Sequence, residues 1–169
     1  MKQPTLLYFL LLASNSFSQT HYQDKIGTYS FEMPDTYKKQ KSAHEVNEFV
    51  FTNNIDTTSL VINIAISHET KEGIIDFKKA TNKEVETNYF KILKNPKIVN
   101  RGELDAYKDR SIYFHLRHTA SAELENDFML IYIFFHKGKE INFIFRTKER
   151  RLEKIMEDIN TIVNSVKLI

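Results

Sequence analysis

The sequence has no cysteine and no tryptophan, and only four glycines and three prolines among its 169 residues. Without cysteine there is no disulfide, no thiol nucleophile and no attachment point for a bacterial lipoprotein anchor. The scarcity of glycine and proline excludes collagenous, linker-like and low-complexity classes. Gly27, Gly73, Gly102 and Gly138 stand too far apart to write a Rossmann fingerprint or a phosphate loop. No G-x-S-x-G elbow and no Asn-x-Ser/Thr acceptor occurs, and no twin arginine precedes the first apolar run. That run, Leu6 to Ala13, is far shorter than the roughly 20 residues that a membrane-spanning helix needs.

The chain does have the length of one domain, a 41% hydrophobic content sufficient for one core, and 13 Phe with 8 Tyr. Its 24 basic and 22 acidic residues leave a net charge of +2, and both signs are interspersed, which argues against a dedicated nucleic-acid binder. Lys2, the apolar run and the small polar stretch Ser14 to Gln19 have signal-peptide organisation. We expect residues 1–19 to be a signal peptide and 20–169 a single domain, exported to the periplasm or beyond, with no transmembrane anchor once the signal is removed.

Hydrophobic periodicity predicts strands at Thr28 to Met33, Glu48 to Thr52 and Ser59 to Ser67, with a hairpin loop over Asn53 to Thr58. Spacings of three and four, through Ile74, Phe77, Thr81, Val85, Tyr89 and Ile92, predict a long helix from Gly73 to Leu93, ended by Asn95-Pro96. A strand near Lys97 leads to three more, Ser111 to His118, Phe128 to His136 and Glu140 to Thr147, the last two joined by Lys137-Gly138-Lys139. A second helix is predicted from Lys148 to Val166, with Thr147 as N-cap and the solvated pair Lys154 and Asp158 on its far face. Phe128 to Phe135 is unbroken apolar sequence, so both faces of the sheet must be covered. The expected fold class is α+β: an antiparallel β-sheet flanked by helices on both faces.

The order of these elements resembles the PsbP-like family. The features that carry the resemblance are Tyr29-Ser30-Phe31-Glu32-Met33-Pro34, a hairpin, a long helix, Asn100-Arg101-Gly102 through Tyr107, a three-strand meander, and the ending Ile159 to Val166. It spans roughly Lys25 to Ile169 and includes no catalytic motif; the Trp that follows the first strand's proline in the family is absent, with Tyr37 nearby. The resemblance implies an α/β/α sandwich and a binding or accessory role, without an assigned activity.

Candidate chemistry is sparse. His44-Glu45 and His68-Glu69 begin like H-E-x-x-H, but Glu48 and Glu72 stand where the second histidine belongs. His115 and His118, three apart on a strand, point to opposite faces, and no metal or cofactor is expected. Glu123 and Glu125 read as loop carboxylates, and Lys38, Lys39 and Lys41 as a charged loop. Strand parity singles out one surface: Asn63, Tyr113, His115, Arg117, Asn142 and Arg146 form a polar sheet face if their strands align, open to a protein or small envelope ligand. The competing expectation is that these side chains bond to a covering helix and to one another. The expected function is that of an exported, non-enzymatic binding or accessory protein of the bacterial envelope. A hydrolase with a dispersed site and an immunity or inhibitor protein remain the alternatives.

Overall fold

A computed structural model describes residues 18–41, 47–53, 60–67, 76–119 and 127–169. The elements are β1 (Gln19–Gln23), β2 (Tyr29–Pro34), β3 (Lys38–Gln40), β4 (Asn47–Asn53), β5 (Leu60–Ser67), α1 (Asn82–Asn88), β6 (Lys97–Gly102), β7 (Ser111–Arg117), β8 (Phe128–His136), β9 (Lys139–Thr147), α2 (Leu152–Ser165) and β10 (Lys167–Leu168). They form a seven-stranded antiparallel sheet in the order β3-β4-β5-β9-β8-β7-β6 and a three-stranded sheet in the order β1-β2-β10.

The period-two segments become strands close to the expected bounds because each has an apolar row to bury. Lys137 and Gly138, both at positive φ (49° and 73°), turn β8 into β9 as a two-residue hairpin whose twist matches that of the strands. Residues Phe128 to Phe134 of β8 are all buried, so both faces are indeed covered.

One face, here the α2 face, packs Leu130, Tyr132 and Phe134 of β8 with Ile141, Phe143 and Phe145 of β9 against Ile159, Ile162 and Val163 of α2 and Tyr29, Phe31 and Met33 of β2. Each such side chain contributes about 1.5–3 kcal/mol by leaving water. The small sheet is tied to this layer by the Tyr22 ring, 4.9 Å from Phe51 and 5.6 Å from Phe31, and by the Glu32 amide, which donates to Ser165 Oγ at 2.8 Å. The opposite, α1 face packs Ile112, Phe114, Leu116, Met129, Ile131 and Ile133 under Phe77, Val85, Phe90 and Leu93.

Several expectations need correction, and one strand was not expected. β1 is a strand that sequence periodicity does not mark; the buried Asp24 carboxylate builds its turn, accepting from the Thr28 and Tyr29 amides at 2.6 and 3.0 Å. The segment expected as one helix from Gly73 to Leu93 is helical only at α1, and residues 73–75 lie outside the described part. Thr81, expected on the apolar face, is the N-cap of a capping box with Glu84, and Ile92, also expected inside, is 86% exposed. Phe77, Phe90 and Leu93 reach the core from turns, such as the one closed by the Leu93 amide on Phe90 O, so their spacing reflects burial rather than helix.

α2 begins at Leu152 after a 3₁₀ turn, Glu149–Arg151, and its N-cap is Arg151; Thr147 is the buried last residue of β9 and cannot cap it. Asp158 is not a free surface charge, since it accepts the Tyr37 hydroxyl at 2.8 Å. Asn53, expected in the hairpin loop, is instead the last residue of β4 and pairs with Leu60, while the rest of that loop, residues 54–58, lies outside the described part.

Candidate functional site

The six residues expected on one polar face are brought into one sheet, on β5, β9 and β7 with β8 between the last two, but not onto one face. Residues opposite one another in an antiparallel pair share a face. Tyr113 lies opposite Tyr132, which lies opposite Phe143; Ile112 lies opposite Ile133, which lies opposite Asn142. Odd residues of β7 therefore join odd residues of β9, so Tyr113, His115 and Arg117 stand on the α2 face while Asn142 and Arg146 stand on the α1 face with Ile112, Phe114 and Leu116. Asn63 is paired with Ile144 and takes its register position with the second group. The expected single face is a split of two half-sites.

The β7 half-site is largely satisfied from within. The Tyr113 ring lies 5.1 Å from the His115 ring and 5.8 Å from that of Tyr132, and His115 Nε2 is 3.3 Å from the Tyr132 hydroxyl. Burial lowers the His115 pKa, and burial with the nearby Tyr113 raises that of Tyr132 to about 12. Both groups are therefore neutral near pH 7. Arg117 Nε donates to both carboxylate oxygens of Glu149 at 2.8 Å, and the Glu149 amide in turn donates to Asp127 Oδ1 at 2.8 Å. Gly102 on the adjoining β6 leaves room for Tyr113, whose ring lies directly over it.

The β9 half-site is different. Asn142, Ile144 and Arg146 are only half-buried, whereas Ile141, Phe143 and Phe145, the residues between them, are fully buried on the other face. Asn142 Oδ1 and Arg146 Nε are both shut off from solvent and both without a hydrogen-bond partner. Burial lowers the Arg146 pKa. The remaining such atom among the described residues, His118 Nε2, sits on a side chain only 6% exposed beyond the end of β7. His118 continues the β7–β8 ladder, its amide donating to Asp127 O, so backbone parity sets it on the side opposite His115.

Among the described residues no group of three or more His, Asp or Glu stands close enough to hold a metal ion. Glu123, Glu125, His44-Glu45 and His68-Glu69 lie outside the described side chains. Lys38 and Lys39 belong to a strand rather than a loop, and Lys39 Nζ sits 4.6 Å from the Phe49 ring centre and 5.6 Å from that of Tyr22. Sequence reading missed a second cluster, in which Lys78 bonds Glu103 at 3.2 Å and also Asp109, across a cavity of about 190 Å³ floored by Phe77, Ile112 and Phe135. All three of its charged groups have partners.

The layers and the antiparallel meander define a mixed α+β domain. The chain belongs to the PsbP family, whose model matches residues 18–168. No curated protein matches it. Among solved structures it is similar to cyanobacterial PsbP (CyanoP) from Synechocystis sp. PCC 6803, at 18% identity and a TM-score of 0.66 over 93% of this chain and 96% of that one. It is also similar to the Ran-binding protein Mog1p of Saccharomyces cerevisiae, at 9% identity and a TM-score of 0.63 over 90% of this chain and 96% of that one. A third likeness is to LpqN of Mycobacterium tuberculosis, involved in cell envelope biogenesis, at 10% identity and a TM-score of 0.51 over 92% of this chain and 87% of that one. At these identities the likeness is one of fold.

Proposed function

We propose that this chain is an exported, non-enzymatic binding or accessory module of the bacterial cell envelope. The observation that carries this reading is the PsbP family match over residues 18–168, since that resemblance implies a binding or accessory role. A protein partner accords with the fold-mate Mog1p being a Ran-binding protein, and an envelope setting accords with LpqN. Export rests on the leader-like residues 1–19, and the family match begins at residue 18, where such a leader would end. No helix among the described residues is long and apolar enough to cross a membrane.

Cell fractionation with intact-mass measurement, followed by crosslinked capture from the native envelope, tests this. The expected result is a chain beginning near Gln19 or Thr20 that retains an envelope component, and that shows no turnover of ester, glycoside or phosphate substrates. Reproducible turnover would favour the hydrolase alternative, and retention of Met1 to Ala13 in the exported protein would replace removal of the leader with anchoring by it.

A further inference from the structure

On the α2 face the covering layer stops short of the sheet's end. Its core takes in residues of β4, β8 and β9, but only the partly buried Tyr113 of β7 and nothing of β6. Tyr113 and His115 are half-buried and Arg117 is exposed, whereas Ile112, Phe114 and Leu116 between them are buried on the other face. Residues of β6 continue the row: Gly102 stands opposite Tyr113, the exposed Asn100 opposite His115 and the exposed Lys97 opposite Arg117. The result is a two-strand shelf, roughly 13 Å long at the strand rise, that lies open beside α2.

The hydroxyl, Cζ and Cε1 of Tyr113 lie 2.7, 2.9 and 2.9 Å from where a Cβ on Gly102 would stand, so the ring covers the glycine with one face and turns the other away from the sheet. The Tyr113 hydroxyl and the Asn100 amide have no hydrogen-bond partner among the described residues. Arg117 is neutralised by Glu149, and burial favours the uncharged form of His115, so Lys97 is the one unmatched charge on the shelf among the described residues.

This chemistry selects among ligands. An acyl chain would strip water from Asn100 and the Tyr113 hydroxyl without replacing it. A nucleic-acid strand needs a run of cations along its backbone, and the shelf has a single one free. A peptide strand adding to the edge of β6 would meet the bulge at Val99 and an Ile98 amide already held by Glu86 Oε1 at 2.7 Å. A pyranose ring, by contrast, has a flat C–H face to stack on an aromatic ring and a rim of hydroxyls that both donate and accept, and it needs no charge.

We infer that the β6–β7 shelf binds a β-linked, equatorially substituted pyranose chain, with one ring stacked on the open face of Tyr113 and its neighbour hydrogen-bonded to the Asn100 amide. Equatorial linkage keeps such a chain flat and extended, which is the shape that an open shelf accepts. The inference rests on the reading of the chain as a binding module and names the chemistry of its ligand.

Titration of the purified protein with cellotriose and with triacetylchitotriose, followed by amide NMR shifts, tests it, with dodecanoate and a thymidine hexanucleotide as probes of the other classes. The expected result is saturable shifts in β6 and β7 with at least one trisaccharide; the acetylated sugar alone would assign Asn100 to an acetamido group, and cellotriose to a hydroxyl. Tyr113→Ala should weaken binding by about tenfold or more, whereas Tyr113→Phe, which keeps the ring, should weaken it by no more than about threefold. Asn100→Ala should weaken it by about threefold or more and, at an exposed position, keep the melting temperature within about 2 °C of the parent. Tyr113→Ala also uncovers Gly102, so Asn100→Ala and Tyr113→Phe decide the matter if that variant does not fold.

Binding of neither trisaccharide, shifts confined to other elements, undiminished binding by Asn100→Ala, or tighter binding of dodecanoate or the hexanucleotide would each overturn the assignment. An envelope component still captured at parental strength by Asn100→Ala would sink this ligand assignment while leaving the binding-module reading standing. Trisaccharide binding by a parent protein that captures nothing from the envelope would do the reverse.

Discussion

Tyr113 lies so closely over Gly102 that a Cβ on the glycine would come within 2.7 Å of the tyrosine hydroxyl and 2.9 Å of two ring carbons. Glycine is needed here for approach rather than for backbone angle, because β6 and β7 are paired and Gly102 sits directly opposite Tyr113. Gly102→Ala should cost about 1–2 kcal/mol in urea unfolding, as overpacking does, by forcing the half-buried ring aside. Combining it with Tyr113→Ala should recover much of that cost, a coupling that a double-mutant cycle reads directly. Additive losses would mean that the ring is not what the new methyl meets.

The Tyr37 hydroxyl donates to Asp158 Oδ2 at 2.8 Å and joins the turn between β2 and β3 to the middle of α2. Tyr37 is 3% exposed, and its hydroxyl pKa is pushed well above the ordinary value by burial first and by the Asp158 charge second. Tyr37→Phe keeps the packing and removes only the hydroxyl with its bonds to Asp158 and the Asn53 side chain, so a loss of about 1–2 kcal/mol is expected. Denaturant unfolding of Tyr37→Phe, Asp158→Asn and the pair checks it; no coupling between them would show that the bond does not hold α2.

What could be read from the sequence depended on whether the signal was local. The apolar run of β8, the alternation in β5, β7 and β9 and the stripe of α2 are each one-element patterns, and all appear in the fold. The facing of β7 against β9 is set by registers across an intervening strand, and a shift of one residue would reverse it. The side chains that strand parity singles out therefore divide, Tyr113, His115 and Arg117 on one face and Asn142 and Arg146 on the other. α1 came out too long because the spacing of Phe77, Val85 and Phe90 reports burial, which turns satisfy as well as a helix does. β1 was invisible because Gln19, Thr20, His21 and Gln23 are exposed, leaving only Tyr22 partly buried.

The α1 face depends on Phe114, which is fully buried, with its ring centre 5.3 Å from that of Phe77 and 5.4 Å from that of Phe90. Phe114→Ala should destabilise by about 3–5 kcal/mol, since the turns above it cannot collapse far into the space. Ile92→Ala, at a position the periodicity places inside but the fold leaves 86% exposed, should change stability by no more than about 0.5 kcal/mol. Thermal and urea unfolding of the two variants side by side test the corrected segment: similar losses would restore the single long helix.

His115 should make the fold sensitive to mild acid. Burial lowers its folded pKa below the ordinary imidazole value of 6.5, and among the described residues no carboxylate counteracts that shift. Above about 6.5 the ring is neutral in both folded and unfolded chains and contributes no slope. Between the folded pKa and that value the unfolded chain holds a proton that the folded ring lacks, so stability falls as the pH drops through this window. Below the folded pKa both states are protonated and the slope from this group vanishes. The Tyr132 hydroxyl, 3.3 Å from Nε2, stays protonated throughout, because burial and Tyr113 raise its own pKa to about 12. The melting temperature should therefore fall between about pH 7 and pH 5.5, and His115→Gln should flatten part of that fall while leaving the carboxylate-driven loss at lower pH in place. An NMR titration of the His115 Hε1 proton supplies the direct check, and a midpoint at or above 6.5 would show that water reaches the ring and that the β7 half-site is open rather than internally satisfied.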